Sequence, residues 1–169
     1  MKLSILNTLP KNEFLSAIGG PLEGEIWLAE RIVAQRPFTS IDHLMTVFET
    51  VIAATSENET IKLIQSHPDL APTLNTQLSE TSQQEQAAAG LTALSPSEYD
   101  LFQRLNAQYH QQFGFPFVIC ARHHTKSSIL EHFEARLNNQ RNQEIKIGIA
   151  EILKIIHLRL TDLIDTSES

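Results

Sequence analysis

The strongest constraint on the fold of this chain is its last stretch, where Ile145, Ile149, Ile152, Ile156, Leu160 and Leu163 recur at intervals of four, three, four, four and three. Helical geometry keeps residues so spaced on one side, so a long final helix is expected to lay an apolar stripe against the rest of the chain. The remainder reads as shorter helices divided by capping signals. After Gly19-Gly20-Pro21, Ile26, Trp27, Glu30 and Val33-Ala34 keep helical spacing until Pro37; a second helix begins near Ser40 and carries Leu44, Val47, Phe48, Val51 and Ile52. Ser56-Glu57-Asn58-Glu59, Ser82-Gln83-Gln84-Glu85 and Ser95-Pro96-Ser97-Glu98 each have capping-box form, a serine cap with glutamate three residues on. They open helices that end at His67-Pro68, Gly90 and Gly114, and a further helix starts at Ser127 and reaches the region of Leu137.

Phe115-Pro116-Phe117-Val118-Ile119-Cys120-Ala121 differs, being continuously apolar without helical or alternating period and containing a proline. It reads as a buried extended segment. One strand cannot make a sheet, so the expected fold class is all-α: a compact single-domain irregular helical bundle over residues 1–169, with one short extended apolar segment near 115–121.

The chain carries 13 Lys+Arg against 20 Asp+Glu, a formal charge of -7, which argues against nucleic acid or anionic lipid as a partner and leaves small molecules and proteins. A single cysteine, Cys120, forbids an intramolecular disulfide and fits a reducing compartment. The opening MKLSILNTLPKNEF is interrupted at Asn7 and Pro10, no apolar stretch reaches membrane-span length, and the closing Thr166-Ser167-Glu168-Ser169 is no peroxisomal address, so a cytoplasmic location is expected.

Four sets of residues bear on chemistry. Arg159, between Leu158 and Leu160, points toward the core side of the final helix, where a guanidinium needs either an anionic or acceptor-rich ligand or an internal salt bridge. Ser82, Glu85 and Gln86, at i, i+3 and i+4, form a polar face that could hold an amide-rich ligand; otherwise Ser82 caps the helix, Glu85 completes the box and Gln86 faces water. His67 stands between a helix end and Pro68-Asp69, as an acid or base or simply as a favourable charge at a helix C-terminus. Cys120 reads as core rather than nucleophile. His110, His123-His124 and His132-Phe133-Glu134 match no metal motif, and no phosphate or dinucleotide loop is present, so neither metal nor organic cofactor is expected.

Taken together, these segments resemble the 2-oxo-4-hydroxy-4-carboxy-5-ureidoimidazoline (OHCU) decarboxylase family. The resemblance rests on Ser66-His67-Pro68-Asp69-Leu70-Ala71, on Ser82 to Gln86 leading to Ala89-Gly90-Leu91, on Phe113 through Arg122, and on Glu151 to Leu160. It extends over nearly the whole chain, including Leu9-Pro10 and Trp27. The family usually has glycine after that arginine; here His123 stands there. The resemblance implies an all-α fold, a homodimer in several members, and catalysis without metal or organic cofactor. It further implies His67 and Glu85 as the catalytic pair, with Pro68, Ser82, Gln86, Arg159 and the backbone of Phe117, Val118 and Ile119 holding the substrate, OHCU. The product would be (S)-allantoin, in urate breakdown. The competing reading is a non-enzymatic helical interaction domain in which the same side chains are structural. A closed pocket of about a few hundred Å³ at His67 favours the enzyme and a flat patch the binder.

Overall fold

The computed structural model describes residues 1–73 and 75–165, so the closing residues 166–169 read above as lacking a peroxisomal address lie outside it. Nine α-helices and one 3-10 turn are formed among the described residues, with no strand beyond an isolated bridge between Lys2 and Asp165. No described helix is long and apolar enough to cross a membrane. The chain is all-α, and its helices fall into two units, residues 1–60 with 153 onward, and residues 61–152.

The first unit holds α1 (Leu3–Thr8), α2 (Lys11–Gly19), α3 (Ile26–Val33) and α4 (Ile41–Ala53). Helix α2 packs on α3 and α3 on α4. Ser40 caps α4 by accepting from the His43 amide at 3.0 Å, as its sequence predicts. The buried face of α3 is Leu28, Ala29, Ile32 and Val33, so the phase set by Ile26, Trp27 and Glu30 is corrected: Ile26 and Glu30 are exposed. Helix α5 (Glu57–Gln65) starts in this unit with the expected box, in which the Ser56 amide donates to Glu59 at 3.0 Å and the Glu59 amide to Ser56 Oγ at 3.3 Å. Arg31 also reaches Glu59, and these partners hold the carboxyl down at about 2 from its ordinary 4.5. A carboxylate depressed by folding stabilises the native state above its unfolded pKa and ceases to do so below its folded one. The difference in Tm between the wild type and Glu59→Gln should therefore be complete above about pH 4.5 and vanish as pH falls toward 2. A thermal melt series across that window measures it; a difference independent of pH would remove Glu59 from the acid limb.

The second unit holds the rest of α5, then α6 (Glu80–Ala88), α7 (Pro96–Phe113), the 3-10 turn Ala121–His123 and α8 (Lys126–Arg136). Helix α7 begins with the full capping box at Ser95 and Glu98 and ends at Gly114, whose φ of 81° is the left-handed cap that glycine adopts without strain. The predicted cap of α6 is one turn late. Ser79, not Ser82, accepts from the Ser82 amide at 3.1 Å, so Ser82 lies inside the helix. Around Tyr109 gather Phe113, Phe115, Phe117 and Phe133, with Phe117 stacked on Phe133 at 3.9 Å between ring centres.

Helix α9 (Arg141–Leu163) runs through both units. Its predicted stripe is rotated in part: Ile152, Ile156 and Leu160 are buried as read, Ile145, Ile149 and Leu163 are only half-buried, and Glu144, Gly148, Glu151, Ile155 and Arg159 are buried instead. Gly148 lets α5 approach, because a Cβ there would stand 3.3 Å from Ile64 Cδ1. The two buried glutamates explain the rotation, since each answers a polar demand elsewhere in the second unit.

Candidate active site

That demand comes from the apolar run. Residues 115–120 are buried and neither helical nor paired in a sheet, and Ala121 belongs to the 3-10 turn, so the extended segment is one residue shorter than predicted. A buried backbone without a ladder must find side-chain partners. Glu151 Oε2 accepts from the Cys120 amide at 2.8 Å, and Arg136 Nη1 donates to the Val118 carbonyl at 2.7 Å. Arg136 is itself paired through Nε with Glu144 Oε2 at 2.9 Å and lies over the Phe117 ring at 4.3 Å. The Tyr109 hydroxyl donates to the same Glu144 carboxylate, and burial together with that carboxylate pushes the phenol far above its usual pKa, keeping it a donor. Thus Phe117, Val118 and Ile119 are fixed by a charged network, to none of whose members the sequence reading assigned this role.

His67 is buried at 6% exposure, just past the end of α5, with its amide bonded to Ile64 O at 3.2 Å. Its Nδ1 lies 3.1 Å from the Leu63 carbonyl, which can only accept, so Nδ1 carries a proton. The ring borders a pocket of about 250 Å³ formed with Gln65, Asp69, His110, Gly114, Phe115 and Pro116. Pro68, next in the chain after His67, is half-buried.

Helix α6 turns its polar face inward. Ser82 and Gln86 are buried at 4% and 5% exposure and Glu85 is half-buried, which overturns the alternative in which Ser82 caps the helix and Gln86 faces water. The Gln86 carboxamide accepts from the Ala71 amide at 2.8 Å and donates to the Asp69 carbonyl at 3.0 Å, tying α6 to the loop that follows His67-Pro68. Helix α6 also packs against the 3-10 turn that ends the apolar run. His67, Pro68, Ser82, Glu85, Gln86 and Phe117 to Ile119 therefore all belong to the second unit.

Arg159 belongs to the first unit. Buried as expected, it makes the internal salt bridge that was one of its two readings: Nη2 lies 2.7 Å from Glu23 Oε1, both side chains below 10% exposed. Glu23 sits in the turn between α2 and α3 with φ 52°. Ala71, in the loop after His67, has φ 47°. These are the two non-glycine residues of positive φ among those described, and such strained backbone persists only where its surroundings hold it.

Cys120 is buried at 1% exposure, as core. His123 is exposed and its φ is not positive, so the position where the family has glycine accepts a side chain without backbone strain. Among the described residues, no three His, Cys, Asp or Glu side chains converge as a potential metal cluster.

A buried imidazole beside a pocket, in a loop fastened to an inward polar helix face, fits an all-α enzyme acting on a small polar molecule. The family model for OHCU decarboxylase matches residues 7–161. The chain belongs to the OHCU decarboxylase family. It is 38% identical to the 2-oxo-4-hydroxy-4-carboxy-5-ureidoimidazoline decarboxylase of Xenopus laevis, over 96% of this chain and 94% of that protein. It is 35% identical to the protein of the same name from Halalkalicoccus jeotgali, over 94% and 89% respectively. A crystal structure of (S)-allantoin synthase superposes on all of this chain with a TM-score of 0.81 at 26% identity, this chain spanning 56% of that one.

Proposed function

We propose that this chain decarboxylates OHCU to (S)-allantoin in urate degradation. The observation that carries the reading is the placement of His67, whose Nδ1 faces the Leu63 carbonyl and whose loop is tied by Gln86 to the helix bearing Ser82 and Glu85. The substrate bears a carboxylate and a hydroxyl on one ring carbon, next to a ring carbon-nitrogen double bond. Breaking the bond to the carboxylate releases carbon dioxide, and its electron pair forms a carbon-carbon double bond while the carbon-nitrogen pair moves onto the ring nitrogen, which takes a proton, leaving an enol. Loss of the hydroxyl proton and delivery of a proton to the neighbouring carbon then give the carbonyl and the new stereocentre. His67 Nε2 takes the hydroxyl proton as general base, and Glu85 stabilises the resulting imidazolium. Pro68, Ser82, Gln86 and the backbone of Phe117 to Ile119 bind the ureido and ring groups.

Arg159 is assigned to a substrate carbonyl. With Glu23 neutralising it, the guanidinium suits a neutral acceptor better than the leaving carboxylate, whose tight binding would stabilise the ground state. Arg159→Lys, which keeps a charge for Glu23, should raise KM by about tenfold or more with little change in kcat, as expected for one lost charged hydrogen bond of about 1.5–3 kcal/mol. An equal fall in kcat and kcat/KM would move Arg159 to the transition state.

The family match running unbroken over 7–161 supports reading both units as one functional domain. We further take the enzyme to be cytoplasmic and homodimeric, the second being open to light scattering. The activity is tested by generating OHCU in place from urate with urate oxidase and hydroxyisourate hydrolase and following circular dichroism. Faster loss of OHCU with growth of the (S)-allantoin signal is expected; spontaneous decay to a racemate in the presence of folded protein would favour the binding-domain reading.

A further inference from the structure

We propose that Gln103, Asn106 and His110, on one face of α7, are positioning residues that set the placement of His67. Helical geometry at this spacing places the three within about 60° of one another. Each holds a different member of the segment directly after His67-Pro68. Gln103 Nε2 donates to the Ala71 carbonyl at 2.7 Å, Asn106 Nδ2 donates to the Leu70 carbonyl at 2.8 Å, and His110 Nε2 lies 2.7 Å from Asp69 Oδ1. Gln86 takes the Asp69 carbonyl and the Ala71 amide from the other side. The strained φ of 47° at Ala71 is held by this set of side chains, because the segment lies between α5 and α6 and belongs to no helix.

Two features separate placement from simple stabilisation. Asn106 is 4% exposed, and its Oδ1 has no hydrogen-bond partner among the described residues, so the residue carries a desolvation cost while its amide nitrogen holds Leu70. Pro68 then joins the clamped residues to His67 through a ring that fixes its own φ, so a displaced Asp69 displaces the imidazole. Errors of about 1 Å at an acid-base group can cost about a hundredfold in rate.

The inference rests on the decarboxylase reading for its kinetic arm only. Protein labelled with 15N-histidine gives a second arm, because the imidazole nitrogens report the His67 tautomer with or without turnover. In His110→Ala and in the double variant Gln103→Ala with His110→Ala, kcat should fall about ten- to a hundredfold with KM nearly unchanged, and the single Nδ1–H signature of His67 should give way to mixed tautomers. His110→Gln, which retains a donor for Asp69, should restore most of both. Wild-type kcat and an intact His67 signature in a cooperatively melting double variant would overturn the proposal, as would a loss in His110→Gln equal to that in His110→Ala. If the double variant does not fold, the half-exposed His110 alone carries the comparison. A wild-type protein inactive on OHCU would sink the proposed function, while the nitrogen spectra would still decide the positioning.

Discussion

Replacing His67 with asparagine should lower kcat on OHCU by about a hundredfold or more, the usual contribution of a positioned acid-base group. Asparagine keeps a polar side chain of similar reach, so the Leu63 carbonyl can still be met and the fold preserved. What is lost is a group that can hold a proton at neutral pH. The loss should fall on kcat and kcat/KM alike, because the proton transfer belongs to the transition state. Stopped-flow measurement of OHCU decay, with the spontaneous rate subtracted, gives the number. A variant turning over within a few-fold of wild type would exclude His67 as the base and leave Glu85 to be tested in its place.

The largest effect on stability is expected at Glu144, a residue fully buried and surrounded by Arg136, Tyr109 and Asn139. Glu144→Leu would leave the Arg136 guanidinium buried opposite an apolar side chain and take the acceptor from Tyr109. Removing one partner of a buried ion pair costs about 3–5 kcal/mol, a large share of the roughly 5–15 kcal/mol that holds a domain together. The urea midpoint should fall accordingly, and Glu144→Gln, which retains an acceptor for Tyr109, should fall less. A shift below about 1 kcal/mol for the leucine variant would mean that Arg136 finds another partner. Because Arg136 also holds the Val118 carbonyl, surviving folded protein should bind substrate more weakly.

The helices were legible because their signals are local. Serine caps at 56 and 95, glycine at 114 and proline at 68 act on neighbours within one turn, and these boundaries stand as read. Ser79 went unnoticed in favour of Ser82 because the glutamate three residues on suits the later serine, whereas helix entry depended on which serine the chain buries. Spacing placed Ser82, Glu85 and Gln86 on one face of α6 but left open whether that face points inward or to water. Glu144 and Glu151 were missed for a different reason: an acid in a helix reads as solvent-facing unless its partner is known, and here the partners are Arg136, on the preceding helix, and the Cys120 amide, 31 residues away. One signal did require them. Seven apolar residues outside helix and sheet imply buried amides and carbonyls in want of partners, so polar side chains had to be buried somewhere. Arg159 shows the reverse, since its direction was evident from the helix but Glu23, its counter-ion, lies in a turn whose positive φ no periodicity reveals.

The apolar run also gives the chain a chemical clock. Cys120 is the chain's one thiol, it lies within the run at 1% exposure, and its own amide is held by Glu151. A maleimide added to the native enzyme must wait for that segment to open, so alkylation proceeds at a single site and at the frequency of opening. Since the same segment carries Phe117 to Ile119, a ligand seated against it would slow the reagent in proportion to occupancy. Sulfhydryl labelling then reads ligand binding to the enzyme without any turnover at all.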